Sequence, residues 1–261
     1  MNQNKNKKKL NKSKFNTVKQ INSISYIFPV FNEESRLPFL FNYIKKRIKR
    51  LKNAEIIFID DGSKDNSKKL ILDFIHSNIK FNKFLKLISY KKNKGKGHAL
   101  KKGVLASKRE WILTLDTDLS VNFSQIDLWI KKKYLYKEKN YAYFGSRIIK
   151  GSEVKALFIR KFIGQFFRIF QNLIIGISLK DTQCGFKLYR NSYSKEIFSN
   201  LQTLGFAHDV ELIYLLQRKN IKIIELPVRW THKSGSKINI MLDSLKMVFE
   251  ILKIKLKFNN Q

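Results

Sequence analysis

Short apolar segments alternate with amphipathic ones between residues 24 and 145, and this alternation limits the possible folds more than any other feature. Uniformly apolar runs predict strands, and apolar residues spaced by three or four predict helices. The predicted strands are 24–30, 55–59, 84–89, 111–115 and 141–145, and the predicted helices are 36–52, a helix ending near residue 79, 97–107 and 123–136. This order predicts an α/β fold, a mostly parallel, doubly wound sheet covered by helices on both faces.

Polar residues cluster where the predicted strands end. The clusters are Asn32-Glu33-Glu34, Asp60-Asp61, Asp116-Thr117-Asp118 and Ser146-Arg147. Ligands of open α/β sheets bind at the carboxyl edge of the strands, so these clusters predict a binding site at that edge.

Each cluster has a chemical reading and a structural alternative. Two carboxylates, Asp116 and Asp118, suit a divalent cation such as Mg²⁺ or Mn²⁺ that bridges substrate phosphates. Asp60 and Asp61 can bind a nucleoside base or ribose, although acids at strand ends also cap helices. The glycines of 94–97 can bring backbone N–H groups and two lysines to a phosphate, and the alternative is a surface loop.

The chain is strongly basic. It has 53 Lys and Arg against 20 Asp and Glu, a formal net charge of +33. Such a charge indicates a polyanionic partner, namely nucleic acid, an anionic membrane surface or a phosphorylated substrate, unless it reflects compositional bias alone. Zinc-finger spacing and RNA-binding aromatic motifs are missing from the sequence, so no nucleic-acid partner is expected.

Several features bear on location. Residues 1–22 are polar and basic and predict a disordered tail. The single cysteine, Cys184, fits a reducing compartment. A signal peptide and an apolar run long enough to span a membrane are not found, so a peripheral protein at the cytoplasmic face of a membrane is expected.

The ordered motifs resemble family 2 glycosyltransferases of the GT-A (Rossmann-like) fold. Those motifs are 29–34, 60–65, 95–99 and Asp116-Thr117-Asp118, the last a DXD motif. The downstream motifs 181–187, 206–212 and 230–237 are similar to the dolichyl-phosphate β-glucosyltransferase branch and its bacterial polyprenyl-phosphate relatives. The resemblance covers roughly 23–245 and implies a nucleotide-sugar donor, a polyprenyl or dolichyl phosphate acceptor and a divalent metal, Mg²⁺ or Mn²⁺.

The resemblance also implies roles for individual residues. Asp116 and Asp118 are expected to face the donor sugar and the metal. The expected nucleoside contacts are Pro29, Phe31, Glu33, Asp60 and Asp61, and Lys96 is expected to lie by the diphosphate. The expected phosphate-binding cations are Arg147, Arg160 and Lys237.

Two departures from the family pattern affect the interpretation. Related mannose synthases carry Gln two residues after the second Asp, where this chain has Ser120, which favours a UDP-sugar over GDP-mannose. UDP-glucose is the expected donor. The eukaryotic glucosyltransferases begin with a membrane-spanning helix, whereas this sequence begins with the basic tail. A different lipid or polysaccharide acceptor remains the alternative within the family, and a basic nucleic-acid-binding protein is the alternative class.

The acceptor chemistry predicts an inverting transfer without an obligatory protein base. A phosphomonoester has a second pKa of about 6, so it is largely dianionic at pH 7 and attacks without losing a proton. Asp209 and Glu211 are the candidate bases if one is used, and the alternative is that they interact with a helix dipole.

Two amphipathic segments complete the expected organisation, in which 23–235 is the GT-A domain and 236–261 a C-terminal amphipathic helix and tail. Residues 161–177 carry a narrow polar stripe on an otherwise apolar segment, and the last helix repeats this design. In that helix Glu250, Lys253 and Lys257 are placed on the polar stripe, opposite an apolar face. We expect these faces to lie at an anionic membrane surface, with the protein core or a homo-oligomer interface as the alternatives.

Overall fold

The structure, a computed structural model, describes residues 16–47, 53–78, 82–155, 178–205, 207–233 and 240–259, with side chains of the last helix described over 248–258. The strands in these ranges are β1 (Ile24–Val30), β2 (Ala54–Asp60), β3 (Leu85–Ser89), β4 (Trp111–Thr114), β5 (Tyr141–Ser146), β6 (Glu153–Lys155), β7 (Lys187–Arg190), β8 (Lys222–Pro227) and β9 (Arg229–Thr231). The helices are α1 (Leu37–Arg47), α2 (Ser67–Ser77), α3 (Lys96–Ala106), α4 (Gln125–Lys131), α5 (Asn191–Asn200), α6 (His208–Arg218) and α7 (Ile240–Asn259), with a 3-10 turn at Asn82–Phe84.

The central sheet has the strand order β3-β2-β1-β4-β7-β5-β8, and β6 pairs with β9 in a small parallel ribbon. All neighbours in the central sheet are parallel except β7, which runs antiparallel to β4 and β5. The mostly parallel sheet is therefore confirmed. Strand β7 was not predicted, because its sequence, Lys-Leu-Tyr-Arg, carries a charge at each end.

Helices cover both faces of the sheet, as predicted. One apolar core joins the sheet to α1, α2 and α4, and a second joins it to α3, α5, α6 and α7. Strand β2 is buried along its whole length, which agrees with the apolar run 56–59 at its centre. Gly103 lets α3 approach the sheet closely, because a Cβ at this position would lie 2.4 Å from Ile27 Cγ2.

The predicted helix 123–136 is shorter in the structure, where α4 ends at Lys131. Lys133 adopts a left-handed φ of 56°, and the backbone N–H of Tyr134 donates to the carbonyl of Trp129. This pattern ends a helix even where the side chains continue its apolar spacing.

The boundary expected at residue 22 lies inside ordered structure. Val18 is buried, and its N–H donates to the carbonyl of Leu135. Thr17 forms an isolated antiparallel bridge with Tyr136. Residues 16–22 therefore pack on the domain, because the apolar Val18 and its backbone groups find partners there. The rest of the predicted tail, 1–15, lies outside the described residues.

The last helix, α7, contacts the domain partly through residues of its predicted polar stripe. Ile251, Ile254 and Phe258 form its buried face, whereas Glu250 and Lys257 of the predicted polar stripe contact the domain. No helix in the described ranges is both long and apolar enough to cross a membrane. The amphipathic segment 161–177 lies outside the described residues.

Candidate active site

A cavity of about 550 Å³ opens at the carboxyl edge of the sheet, where the polar clusters were predicted to converge. The ends of β1, β4 and β5 and the loop after β2 form its walls. The predicted site residues that line it are Pro29, Phe31, Glu33, Asp61, Lys96, Asp116, Asp118, Arg147 and Asp209. The structure thus gathers residues separated by up to 180 positions in sequence around one space, and their individual roles stay predictions.

Asp116 and Asp118 lie on the loop after β4. Asp116 Oδ1 accepts a hydrogen bond from Lys96 Nζ at 2.6 Å, and Asp118 Oδ1 accepts one from the backbone N–H of Ser120 at 2.8 Å. Between them, the Thr117 hydroxyl donates to the carbonyl of Pro29 at 2.8 Å and ties this loop to β1. Burial favours the neutral form of Asp116, but the charges of Lys96 and Lys187 outweigh it and lower its pKa. Asp116 is therefore anionic at neutral pH.

The donor set fits a hard divalent cation that shares ligands with a substrate. Both aspartates line the open cavity, and each uses one described oxygen in a contact within the protein. Within the described ranges, no three Asp, Glu, His or Cys side chains form a complete metal site. Two carboxylates leave most of an octahedral shell to phosphate oxygens and water, which is the usual environment of Mg²⁺.

Gly185 makes room for Asp116. A Cβ at Gly185 would lie 2.4 Å from Asp116 Oδ2, so any larger residue would displace the carboxylate. The motif 181–187 signalled this position, but its role depends on how β7 packs beside β4, and β7 was not predicted.

The start of α3 differs from the predicted phosphate cradle. The N–H groups of Lys94 and Gly95 donate to the Asp61 carboxylate at 2.8 and 2.9 Å. The N–H groups of Gly97 and His98 donate to the carbonyl of Leu204. Three of the four backbone N–H groups of 94–97 are therefore used inside the protein, and the side chain of Lys96 lines the cavity.

Asp60, the last residue of β2, and Asp61, which follows it, lie in different surroundings. Asp61 lines the cavity and holds the loop before α3. Asp60 is buried below it, where its carboxylate accepts from the Ser63 N–H and the Ser89 hydroxyl. Asp60 was predicted to contact the nucleoside, but the structure does not bring it into the cavity wall, because these turn contacts hold it beneath the surface.

Arg147 is held rigidly at the end of β5. Its Nε and Nη2 each donate to the Asp181 carboxylate at 2.8 Å, and its backbone N–H donates to Asp181 Oδ2 at 2.8 Å. Burial opposes the charge of Asp181, but Arg147 outweighs it and lowers the pKa of this carboxyl. A bidentate pair of this kind orients the guanidinium toward the cavity before any ligand binds.

Asp209 sits in a buried network of charges. Its Oδ1 accepts from Lys187 Nζ at 2.6 Å and lies 3.2 Å from His208 Nε2. Burial alone would raise the pKa of Asp209, but its interactions with His208, Lys187 and Lys96 outweigh burial and hold the pKa well below the ordinary value. Such a carboxylate stays ionised and is a weak proton acceptor.

Glu211 is not part of the cavity wall. It is buried, and its Oε2 accepts the backbone N–H groups of Gln202 and Thr203 at 3.0 and 2.6 Å. Its Oε1 pairs with Lys257 of α7 at 3.0 Å. Predicted as a candidate base, Glu211 instead fixes the loop 201–205, because its position on α6 turns it away from the cavity.

Several lining residues were not among the predicted site residues. They include Arg36, Asn93, Gln183, His208, Trp230, His232 and Lys233. Five of them, Gln183, His208, Trp230, His232 and Lys233, lie in the downstream motifs 181–187, 206–212 and 230–237, so those motifs could have indicated them. Arg160 and Lys237, which were predicted to bind phosphate, lie outside the described residues.

Comparisons with known proteins give a consistent result. The model of glycosyl transferase family 2 matches residues 25–198. The chain is 35% identical over 253 residues to the dolichyl-phosphate beta-glucosyltransferase of Dictyostelium discoideum, covering 90% of this chain and 74% of that protein. It is 31% identical over 247 residues to the human protein of the same name, covering 90% and 75%.

A solved structure shares the fold. Glucosyl-3-phosphoglycerate synthase from Mycobacterium tuberculosis, crystallised with Mn²⁺ and UDP-glucose, aligns with a TM-score of 0.64. The alignment covers 89% of this chain and 79% of that one at 16% identity. At this identity the likeness shows the GT-A fold alone.

Proposed function

The chain belongs to glycosyl transferase family 2, and we propose that it transfers glucose from UDP-glucose to dolichyl phosphate or another polyprenyl phosphate. The observation that carries the proposal is the pairing of two carboxylates, Asp116 and Asp118, with two preorganised cations, Lys96 and Arg147, around one cavity. This arrangement suits a substrate with a diphosphate and an acceptor with a phosphate.

The names of similar proteins support the proposed acceptor, and Ser120 together with a structure of the same fold supports the proposed donor. Proteins named dolichyl-phosphate beta-glucosyltransferase are similar over 90% of this chain. Related mannose synthases carry Gln two residues after the second Asp of the DXD motif. This chain has Ser120 at that position, which favours a UDP-sugar. A synthase of the same fold was crystallised with UDP-glucose and Mn²⁺, which is compatible with this donor.

The proposed reaction is a single displacement. A phosphate oxygen of the acceptor attacks the anomeric carbon, the bond from that carbon to the diphosphate breaks, and the electron pair leaves with UDP, so the configuration inverts. The attacking phosphate is already deprotonated near pH 7, so no protein base is required. Arg147 orients the acceptor phosphate and Lys96 neutralises the departing diphosphate, which are positioning and electrostatic contributions.

Asp116 and Asp118 would hold a divalent cation together with the diphosphate. The cation would supply Lewis-acid stabilisation of the negative charge on the leaving group. Arg160 and Lys237 remain proposed contacts to the phosphates.

Donor binding tests the proposal. Calorimetric titration of the full chain with a panel of nucleotide sugars and Mn²⁺ should show UDP-glucose binding most tightly, and Asp118→Ala should abolish the Mn²⁺ dependence of that binding. Asp73→Ala is the matched control, because Asp73 is an exposed carboxylate on α2 outside the cavity wall. Tighter binding of GDP-mannose, or an unchanged Asp118→Ala variant, would contradict the proposal.

A further inference from the structure

Over residues 248–258, where its side chains are described, helix α7 has two apolar faces. The inner face packs on the domain, where Ile251, Ile254 and Phe258 are buried and the Phe258 ring stacks on Tyr214 with centroids 3.8 Å apart. On the opposite side Phe249 and Leu256 are each 65% exposed and Leu252 is 40% exposed. We call Phe249, Leu252 and Leu256 the outer stripe. A helix that already buries one apolar face has no need of a second one for its own packing.

The charges beside the outer stripe are basic. By helical geometry Lys253 and Lys255 flank it on its two sides, and Lys253 is exposed. The one acid between residues 248 and 258 is Glu250, and its carboxylate accepts the backbone N–H of Ala207. Lys257 is also engaged inward, with Glu211. The outward surface of this part of α7 is therefore apolar with a basic border.

The outer stripe lies on a helix that contacts the wall of the cavity. Glu250 lies against Gly205, since a Cβ at that glycine would be 2.9 Å from Glu250 Oε1. Gly205 lines the cavity, and Leu204 beside it is 39% exposed. A surface that covered the outer stripe would therefore lie near the cavity.

We propose that the outer stripe docks the protein on an anionic lipid bilayer. Apolar side chains enter the boundary between headgroups and acyl chains, while flanking lysines contact anionic headgroups, and this is the pattern on the outer side of α7. Pairing the same face with a second copy would bring the lysines of both copies together with no acid between residues 248 and 258 left to oppose them. This inference goes beyond the proposed function, which concerns the reaction at the cavity.

Vesicle flotation tests the docking surface. Full-length protein would be mixed with vesicles of phosphatidylcholine, with or without one quarter phosphatidylglycerol, and with no donor or acceptor present. We expect preferential binding to the anionic vesicles. The variant F249Q/L252Q/L256Q should bind at least about tenfold more weakly, because three apolar side chains no longer enter the interface.

Phe39→Gln is the matched control. Phe39 is 78% exposed on α1, so this variant also removes an exposed aromatic ring from a helix, and it should bind vesicles as the wild type does. Thermal melts establish that each variant is folded. If the triple variant does not fold, the single variant F249Q carries the test and should bind at least about threefold more weakly.

Two results would overturn the docking surface. The first is vesicle binding by the triple variant equal to that of the wild type. The second is a wild type that sediments as a dimer while the folded triple variant is a monomer, because the outer stripe would then be an interface between copies. Since the assay contains neither donor nor acceptor, either result leaves the proposed reaction untouched.

Discussion

At the scale of single residues, the surroundings of Asp209 make it a counter-ion to Lys187. The two side chains are buried with their charged atoms 2.6 Å apart, and the neighbouring cations keep the carboxylate ionised. An efficient general base has a pKa near the working pH, so this environment agrees with a reaction whose nucleophile needs no deprotonation.

Substitution of Asp209 should therefore affect stability more than chemistry. Asp209→Asn leaves the Lys187 ammonium buried without a counter-ion, and we expect a loss of about 3 kcal/mol in the free energy of unfolding, measured in urea. The double variant K187M/D209N removes both charges and should regain most of that loss.

Turnover by the double variant separates the two roles. Loss of a catalytic base lowers turnover by roughly 100- to 10,000-fold. With a polyprenyl phosphate acceptor, we expect the folded double variant to lose less than about 100-fold in turnover. A loss of about 1,000-fold or more, with the stability regained, would identify Asp209 as a base.

Gly185 gives a second prediction at this scale. Gly185→Ala should push the Asp116 carboxylate aside and weaken Mn²⁺ binding, measured by electron paramagnetic resonance in the presence of UDP. Gly103→Ala is the matched control, because the added methyl group meets Ile27 Cγ2 at the same 2.4 Å but lies in the core behind α3. Both variants should lose about 1–3 kcal/mol of stability through overpacking. Equal Mn²⁺ affinities in the two variants would contradict this role for Gly185.

At the scale of secondary-structure elements, Glu211 links α6 and α7 to the loop 201–205. The carbonyl of Leu204 in this loop accepts the N–H groups of Gly97 and His98 in the first turn of α3, the helix that carries Lys96. Glu211 therefore positions the cavity wall through backbone contacts and does not line the cavity itself.

The conservative variant distinguishes this positioning role from a role as base. The amide oxygen of Glu211→Gln can still accept one or both N–H groups, so we expect a small loss of stability and turnover close to that of the wild type. Glu211→Ala leaves two buried donors unpaired, and should lose about 2–4 kcal/mol, measured by urea unfolding. If Glu211→Gln were folded yet as inactive as Glu211→Ala, the positioning role would be wrong.

The elements that the sequence predicted are those with a strong local pattern. The parallel strands β1, β2 and β4 are buried almost throughout, and each contains an apolar run that the sequence shows directly. Strand β7 was not predicted because it contains the buried Lys187. This side chain is buried as an ion pair with Asp209, which is 22 positions away and is not indicated by the local sequence pattern. The same reason applies to Glu211, whose spacing fits a site residue but whose contacts are with Lys257 and the loop before α6.

At the scale of the whole molecule, buried carboxylates stabilise the folded state through paired cations. Asp116, Asp181 and Asp209 all have a pKa below the ordinary value in the folded protein, because neighbouring cations outweigh the effect of burial. A group with a lowered folded pKa contributes stability above its unfolded pKa and loses that contribution as the pH falls toward the folded value.

We therefore expect the midpoint of urea unfolding to fall as the pH is lowered from about 5 to about 2.5, through and below the ordinary carboxyl pKa. Repulsion within this cationic chain acts in the same direction, since protonating acids raises a net charge that is already +33. The double variant K187M/D209N lacks the Lys187–Asp209 ion pair, so its midpoint of urea unfolding should fall less steeply as the pH is lowered. A midpoint that rises on acidification would contradict this electrostatic account.

The central claim is tested most directly by product formation. Full-length protein would be incubated with labelled UDP-glucose, short-chain polyprenyl phosphate in detergent and Mg²⁺ or Mn²⁺, and the lipid fraction would be extracted and counted. The account predicts labelled glucose in the lipid fraction, dependent on the metal and absent with Asp118→Ala. Binding of UDP-glucose without any labelled lipid, or equal labelling by Asp118→Ala, would contradict the assignment of acceptor and site.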